Sequence, residues 1–280
     1  MGMLIRERTG GRLSNGMLGQ EDADSENLTI GQVRNGTLDM ARINLAVLNA
    51  TVPSTVIPSL PYLFKSIDHL RRVLDGPIGE RILADLEDQG LVGLCFYDAG
   101  ARSFYSAKKP IRHAADMKGL KVRVQQGEAA AVMIRALGAT PVPMSHQKGY
   151  VALQAGVVDA AMNSMQFYST SRHFQVAKYF NVTGHSMAPG VLVFSKQIWD
   201  TLSKDDQAVV RAAAKDSVQH MRKLWDVSEA SMRAHAEAGG AQIVTDVDGK
   251  SFADVLLPLY PVLVTDPQLR SMVTAIESAD

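Results

Sequence analysis

Residues 116–164 constrain the fold most, because they contain in order the parts of a strand–helix–strand unit. Apolar and basic side chains alternate over residues 120–124, which is the period-2 pattern of a strand. Helix-forming residues follow over 128–137 and stop at Gly138, a favourable residue just past a helix end. Residues 140–143 contain two prolines and are predicted to be extended. The pattern therefore predicts an α/β unit with a right-handed crossover.

Arg123 lies near the end of the first strand of this unit. Ligands of α/β sheets bind beyond the carboxyl ends of the strands, and a guanidinium binds a carboxylate or phosphate through two parallel hydrogen bonds. No acid stands within two residues of Arg123, where Lys121 and Gln125 are the polar neighbours. Arg123 is therefore a candidate ligand residue. Residue type alone also allows a solvated or locally paired strand arginine.

Composition narrows the class of protein. The chain has 280 residues, enough for one large or two modest domains, and 46% of them are hydrophobic. Lys plus Arg and Asp plus Glu both number 29, so no net charge attracts nucleic acid or anionic lipid. No apolar run approaches the roughly 20 residues of a membrane span. No nucleotide-binding or zinc motif is present, so neither a cofactor nor a metal is predicted.

Three further segments carry structural predictions. Helical character runs from Ser203 to Gly239, about 35 residues or about 50 Å, which predicts a helix that spans two halves of the molecule. Residues 91–97 are almost continuously apolar, which favours a central parallel strand. Residues 21–26 are acidic, which indicates a solvated loop or a first helical turn rather than a site.

Several blocks of the sequence resemble the DctP family, the extracytoplasmic solute-binding proteins of TRAP transporters. The blocks are residues 116–124, 135–144, 150–159 and 195–207. They match at fixed spacing, which is more specific than one short motif. The resemblance implies a two-lobed α/β fold like that of periplasmic binding proteins, with a long helix across both lobes. It also implies a periplasmic protein that works with TRAP membrane permease subunits, most simply as a monomer without a nucleic-acid partner.

The resemblance also predicts the division of the chain. Lobe I would consist of 1–99 and 187–228, and lobe II of 100–186 and 229–280. Family members begin with a strand and a helix before the segment that residues 6–13 resemble, and they place a further strand after it. This chain has no room for that strand, so the N-terminal part of the first lobe is expected to be incomplete.

Five ligand-binding residues follow from the resemblance. Arg123 would pair with the carboxylate of a small organic acid, Arg102 would assist it, and Asn163 would fix the ligand's orientation. Gln126 and His146 occupy positions that line the pocket in related proteins. Residue type alone leaves two alternatives open: a surface arginine for Arg102, and a strand-end asparagine that bonds its own backbone for Asn163.

The ligand is expected to be a sugar acid. The blocks 98–102, 123–126 and 171–178 look most like family members that take hexuronates. Those relatives usually carry Gly, Glu and Trp where this chain has Ala160, Met162 and Met165. They also tend to carry Glu at the positions of Lys148 and Gly190. Unmatched polar groups in a pocket cost about 1–3 kcal/mol each, so these departures predict a different specificity or weaker binding.

Two alternatives come from other classes of protein. Residues 184–188 resemble the nucleophile elbow of α/β hydrolases, with Ser186 as the nucleophile. Ala188 replaces the final glycine of that motif, and Pro189 follows at once, so the strand-to-helix turn that the elbow needs is not expected. The second alternative is a truncated copy that has lost its function.

Overall fold

The computed structural model describes residues 1–17, 26–125, 128–187 and 189–279, with His146 and Gln147 described in their backbone only. The strands are β1 Met40–Asn44, β2 Leu91–Tyr97, β3 Ala101–Ser106, β4 Lys121–Val124, β5 Thr140–Pro143, β6 Ala160–Asn163, β7 Tyr179–Met187, β8 Gly190–Ser195 and β9 Gln242–Val244. The helices are α1 Gly2–Arg8, α2 Glu26–Arg34, α3 Ile67–Asp75, α4 Pro77–Asp85, α5 Glu128–Ala136, α6 His146–Gln154, α7 Met165–Thr170, α8 Lys196–Trp199, α9 Lys204–Ala238, α10 Gly249–Leu256, α11 Tyr260–Leu263 and α12 Pro267–Glu277.

The first sheet has the order β1-β8-β2 in the described part of the chain, and both of its pairings are antiparallel. The prediction that residues 91–97 form a central parallel strand is therefore wrong in direction and position. Leu91 and Phe96 pack on one face of the sheet, whereas Val92 and Leu94 pack on the other. The apolar run therefore reflects burial of both faces of β2. Burial does not determine whether a strand is parallel or antiparallel to its neighbour.

The second sheet has the order β5-β4-β6-β3-β7-β9. Strand β4 pairs in parallel with β5 and with β6, and α5 connects β4 to β5. The predicted strand–helix–strand unit is thus confirmed. Strand β3 pairs antiparallel with β6 and β7, so it brings residues that follow β2 next to the parallel unit.

Helix α9 has 35 residues and begins where the sequence predicts, because Ser203 Oγ accepts from the backbone N of Asp206 at 3.1 Å. Its first half packs on the first sheet through Val210 and Val218. Near its other end, Ala236 packs with side chains of the second sheet. The helix therefore spans both halves of the molecule. Helix α12 also packs on the first sheet's core, through residues that include Ile276.

The two sheets are joined by short crossings. Residues 98–100 connect β2 to β3, and Pro189 lies in the connection from β7 to β8. Gly100 has φ +73°, and a Cβ there would lie 3.3 Å from the ring of Trp225 on α9. Glycine suits this position because it adopts positive φ without strain and lets the helix approach the crossing.

Candidate functional site

A cleft lies between the two sheets, with an empty volume of about 530 Å³ that is partly open to solvent. Residues that follow β1 form one wall, and residues of β3, β6, β7 and α5 form most of the other. The lining residues are Ala46, Val47, Asn49, Ser59, Arg102, Gln125, Ala129, Ala130, Met133, Met162 and Ser186. Arg102 is the charged side chain among them, so most of the described wall is apolar or neutral.

Arg102 extends from β3 into the cleft and is only 6% exposed. Its Nη2 reaches across to β6 and lies 3.5 Å from the carbonyl oxygen of Met162. Its Nε has no hydrogen-bond partner among the residues that the structure describes. Burial and, next, the charge of Arg123 lower the pKa of Arg102 to about 10.

Arg123 lies on β4 behind the cleft wall and is 1% exposed. Its Nε and Nη2 donate to the carbonyl oxygen of Met144 at 3.2 and 2.9 Å, which fixes one edge of the guanidinium. Nη1 is buried and has no partner within the described ranges. Burial lowers the pKa of Arg123. The edge formed by Nη1 and Nη2 is therefore the one that remains for an anion.

Two other titratable groups close to these arginines, Tyr105 and His185, are neutral at pH 7. The Tyr105 hydroxyl is 2.9 Å from His173 Nδ1, and burial raises the pKa of Tyr105 to about 12. Burial and then the charge of Arg102 lower the pKa of His185 to about 3. Two buried cations thus lack a paired acid in the described part of the chain. Buried charges are normally paired, so this arrangement favours binding of an anion.

Of the other three predicted site residues, only Asn163 has a side chain in the described part of the chain. Asn163 is half-buried at the end of β6, and its Oδ1 accepts from the backbone N of Ser164 at 2.9 Å. That bond is the local backbone contact that residue type alone allows. Gln126 lies outside the described residues. His146 begins α6, and its side chain lies outside the described part as well.

Glu26 is a charged residue near the cleft that the sequence did not predict as a site. It begins α2, is half-buried, and its Oε1 accepts from the backbone N of Asn44 at 2.8 Å. Its Oε2 lies 3.5 Å from Nε2 of Gln125, which lines the cleft. The predicted first helical turn is therefore confirmed for Glu26, but its side chain is half-buried rather than solvated. Residues 21–25 lie outside the described residues. No spacing in the sequence indicates a contact between residues 99 positions apart.

Arg42 is a second unpredicted charge at the edge of the first sheet. Its Nη2 donates to the carbonyl oxygen of Asp98 at 3.3 Å. A Cβ on Gly190 would overlap the Arg42 guanidinium, so glycine at this position makes room for the arginine. Burial lowers the pKa of Arg42, and the nearby charge of Glu26 opposes that effect.

Comparison with known proteins identifies the family. The family model described as bacterial extracellular solute-binding protein, family 7 (DctP), matches residues 1–265. The chain belongs to this family. A solute-binding protein of Chromohalobacter salexigens is 36% identical over 284 residues, covering 98% of this chain and 82% of the relative. The 2,3-diketo-L-gulonate-binding periplasmic protein YiaO of Escherichia coli is 28% identical, covering 90% of this chain and 77% of YiaO.

Solved structures of DctP relatives agree closely with this fold. A TRAP periplasmic solute-binding protein from Bradyrhizobium sp. BTAi1, in complex with α/β-D-galacturonate, has a TM-score of 0.96 at 49% identity, covering 99% of this chain and 93% of that chain. A relative from Chromohalobacter salexigens with bound D-glucuronate has a TM-score of 0.95 at 33% identity, covering 100% and 93%. The predicted family and two-lobed α/β fold class are therefore confirmed.

Membership of this family also establishes the cellular location and the general role of the chain. DctP proteins are extracellular solute-binding proteins of transport systems, so the predicted periplasmic location is confirmed. Among the helices of the described residues, none combines the length and the apolar character that crossing a membrane requires. The same residues contain no cluster of three His, Cys, Asp or Glu side chains suited to a metal ion.

Proposed function

We propose that this chain is the solute-binding subunit of a TRAP transporter and that it captures a sugar acid such as a hexuronate. The observation that carries the proposal is the pair of buried arginines, Arg102 and Arg123. Nε of Arg102 and Nη1 of Arg123 have no acceptor among the described residues. A carboxylate supplies two acceptor oxygens in the geometry of a guanidinium fork. The relatives solved with galacturonate and glucuronate support a sugar acid as its source.

The proposed roles follow the geometry of each side chain. Arg123 takes the carboxylate with its Nη1–Nη2 edge, and Arg102 supplies a second cation from the cleft wall. Asn163 orients the ligand, for which its side chain must exchange the bond to Ser164 for one to the ligand. We propose that Gln126 and His146 also line the pocket, because the corresponding positions line it in related proteins.

The proposed mechanism involves capture and release without a chemical conversion, by a monomer that delivers the ligand to membrane permease subunits. Ser186, the serine of the hydrolase alternative, lies inside strand β7 rather than at a strand-to-helix turn. The neighbouring His185 bonds Thr183 at 2.9 Å instead of the serine. The nucleophile elbow therefore lacks its structural context here.

Stabilisation by ligand tests the proposed function. Galacturonate at about 100 times its Kd should add about 2.7 kcal/mol to the free energy of unfolding, because it binds only the folded state. This corresponds to a rise in melting temperature of roughly 5–10 °C. Galactose is the control, because it keeps the ring and hydroxyls but lacks the carboxylate. No shift with galacturonate, glucuronate or 2,3-diketogulonate would favour the alternative of a copy without function.

We propose that binding closes two lobes, composed of 1–99 with 187–228 and of 100–186 with 229–280. The cleft is lined from both sides, and the crossings at residues 98–100 and at Pro189 are short enough to act as hinges. Helix α12 then contacts the other lobe, because Ile276 packs in the first sheet's core.

Closure gives a second expected result. Small-angle scattering should show a smaller radius of gyration with saturating galacturonate than without it, because a ligand that contacts both lobes favours the closed state. An Arg123→Ala variant at the same ligand concentration should show no contraction. Calorimetric binding without contraction of the wild type would contradict closure while leaving the binding function intact.

A further inference from the structure

An acid stands at the opposite side of the cleft from the two arginines. Glu26 begins α2 on the side of the first sheet, where its Oε1 accepts from Asn44 N at 2.8 Å. Its Oε2 contacts Nε2 of Gln125 at 3.5 Å, and Gln125 lines the cleft from the side of the second sheet. The Glu26 carboxylate therefore contacts the end of β1 on one side and Gln125, a residue of the cleft lining, on the other.

The charges around the cleft are arranged asymmetrically. Arg102 and Arg123 lie on the second sheet, while Glu26 lies on the other side and is near enough to Arg102 to raise its pKa. Arg42 is a cation of the first sheet, but it packs against Gly190 and donates to a backbone carbonyl instead of lining the cleft. The charge around the cleft is therefore positive on the side of the second sheet and negative at Glu26, next to the lining residue Gln125.

The Glu26 carboxylate can accept more hydrogen bonds than it receives from the residues that the structure describes. Each carboxylate oxygen has two lone pairs, and Oε1 and Oε2 each accept one described bond. A ligand hydroxyl can donate to either oxygen. A second ligand carboxylate has no hydrogen to donate when ionised and carries the same charge as Glu26, so it would be repelled.

These observations deepen the proposed function, on which they rest. We propose that Glu26 determines the class of ligand: an acid with one carboxylate and with hydroxyl groups at its other end. The corresponding dicarboxylate is rejected because its second carboxylate would face Glu26. Specificity of this kind combines an attraction to the intended ligand with a repulsion of the competitor.

Galacturonate and galactarate provide a direct test, because oxidation of C1 converts the hemiacetal of the first into the second carboxylate of the other. Galactarate is an open chain, so galactonate, an open-chain acid with one carboxylate, is the control for loss of the ring. Calorimetry on the wild type should give a Kd for galacturonate at least tenfold below that for galactarate. Glu26→Gln keeps the size of the side chain and removes its charge, so it should reduce this ratio at least fivefold.

Glu128→Gln is the matched control, because Glu128 also begins a helix but its side chain is 77% exposed and pairs with Arg135. This variant changes the net charge equally and should leave the ratio unchanged. The melting temperature of each variant checks folding. If the Glu26 variant fails to fold, the wild-type ratio still tests the stated preference.

Three outcomes would contradict the inference in distinct ways. Equal or tighter binding of galactarate by the wild type overturns it, because Glu26 would then not repel a second carboxylate. An unchanged ratio in Glu26→Gln also overturns it, because Glu26 would then support the local structure alone. Binding of neither acid by the wild type overturns the proposed function itself.

Discussion

Arg123→Lys should weaken binding of galacturonate roughly 10- to 150-fold, because hydrogen bonds to charged groups contribute about 1.5–3 kcal/mol. The wild-type guanidinium donates from one edge to Met144, and its Nη1 has no partner among the described residues. A lysine ammonium has no planar fork, so it cannot hold the carbonyl and present two parallel bonds to a carboxylate. The Kd measured by calorimetry reports the loss.

Arg135→Lys is the control for this substitution. Arg135 lies on α5 close to the same region, but its side chain is 58% exposed and pairs with Glu128 on the surface. Its replacement should leave the Kd unchanged within about a factor of two, because exposed ion pairs contribute about 0–1 kcal/mol and this one touches no ligand group. A wild-type Kd in the Arg123 variant would remove Arg123 from the proposed site.

Local chemistry explains why much of the fold was predictable from the sequence. Alternation over residues 120–124, the stop at Gly138 and the cap at Ser203 are signals of neighbouring residues, and the elements they predict are present. The direction of β2 was not predictable in this way. It depends on pairing with β8, about 100 positions along the chain, and an apolar run carries no information about its partner.

The residues of the candidate site also differ in how far the sequence predicts them. Arg123 and Arg102 were identified from strand position and resemblance, and both are buried without a described acid partner. The sequence does not predict the contacts of Glu26 with Gln125 and Asn44, because only the folded chain brings these residues together. A short acidic segment read in isolation indicates solvation. Long-range contacts of this kind produce no periodic pattern in the sequence.

Behind the cleft, a network of ion pairs holds the crossing between the two sheets. Arg71 on α3 donates to Asp98 through both Nε and Nη2, and its Nη2 also lies 2.6 Å from Asp226 on α9. Arg222 of α9 makes two bonds to Asp75 on α3, at 2.7 and 2.8 Å. Burial alone would lower the pKa of Arg71, but its bonds to the two aspartates raise it overall.

The network is important for the candidate site because Asp98 lies close to Arg102 in the chain. Asp98 directly follows β2 and is four residues before Arg102, so its bonds fix the chain where it enters β3. Its side chain is only 5% exposed. A carboxylate at that depth needs its partners, because an unpaired buried charge is strongly unfavourable.

Arg71→Met should therefore lower the free energy of unfolding by about 3–5 kcal/mol, the usual effect of removing one member of a buried pair. Among the cations of the described residues, Asp98 would keep Arg222, whose Nε is 3.9 Å away. At roughly 2–4 °C per kcal/mol, the melting temperature should fall by roughly 6–20 °C. Arg81→Met is the matched control, because Arg81 is 60% exposed and pairs with Asp85 on the surface. Its loss should cost less than about 1 kcal/mol.

The double variant Arg71→Met/Asp98→Leu distinguishes an unpaired charge from lost packing. If the cost of Arg71→Met comes from the stranded Asp98 carboxylate, removing that carboxylate should recover part of the lost stability, since apolar replacements of buried pairs are often neutral. If the cost comes from packing around Arg71, the second substitution should add a further loss. A double variant less stable than Arg71→Met would therefore show that the network contributes through shape rather than charge. Recovery would show that Asp98 is held at the crossing by its ion pairs.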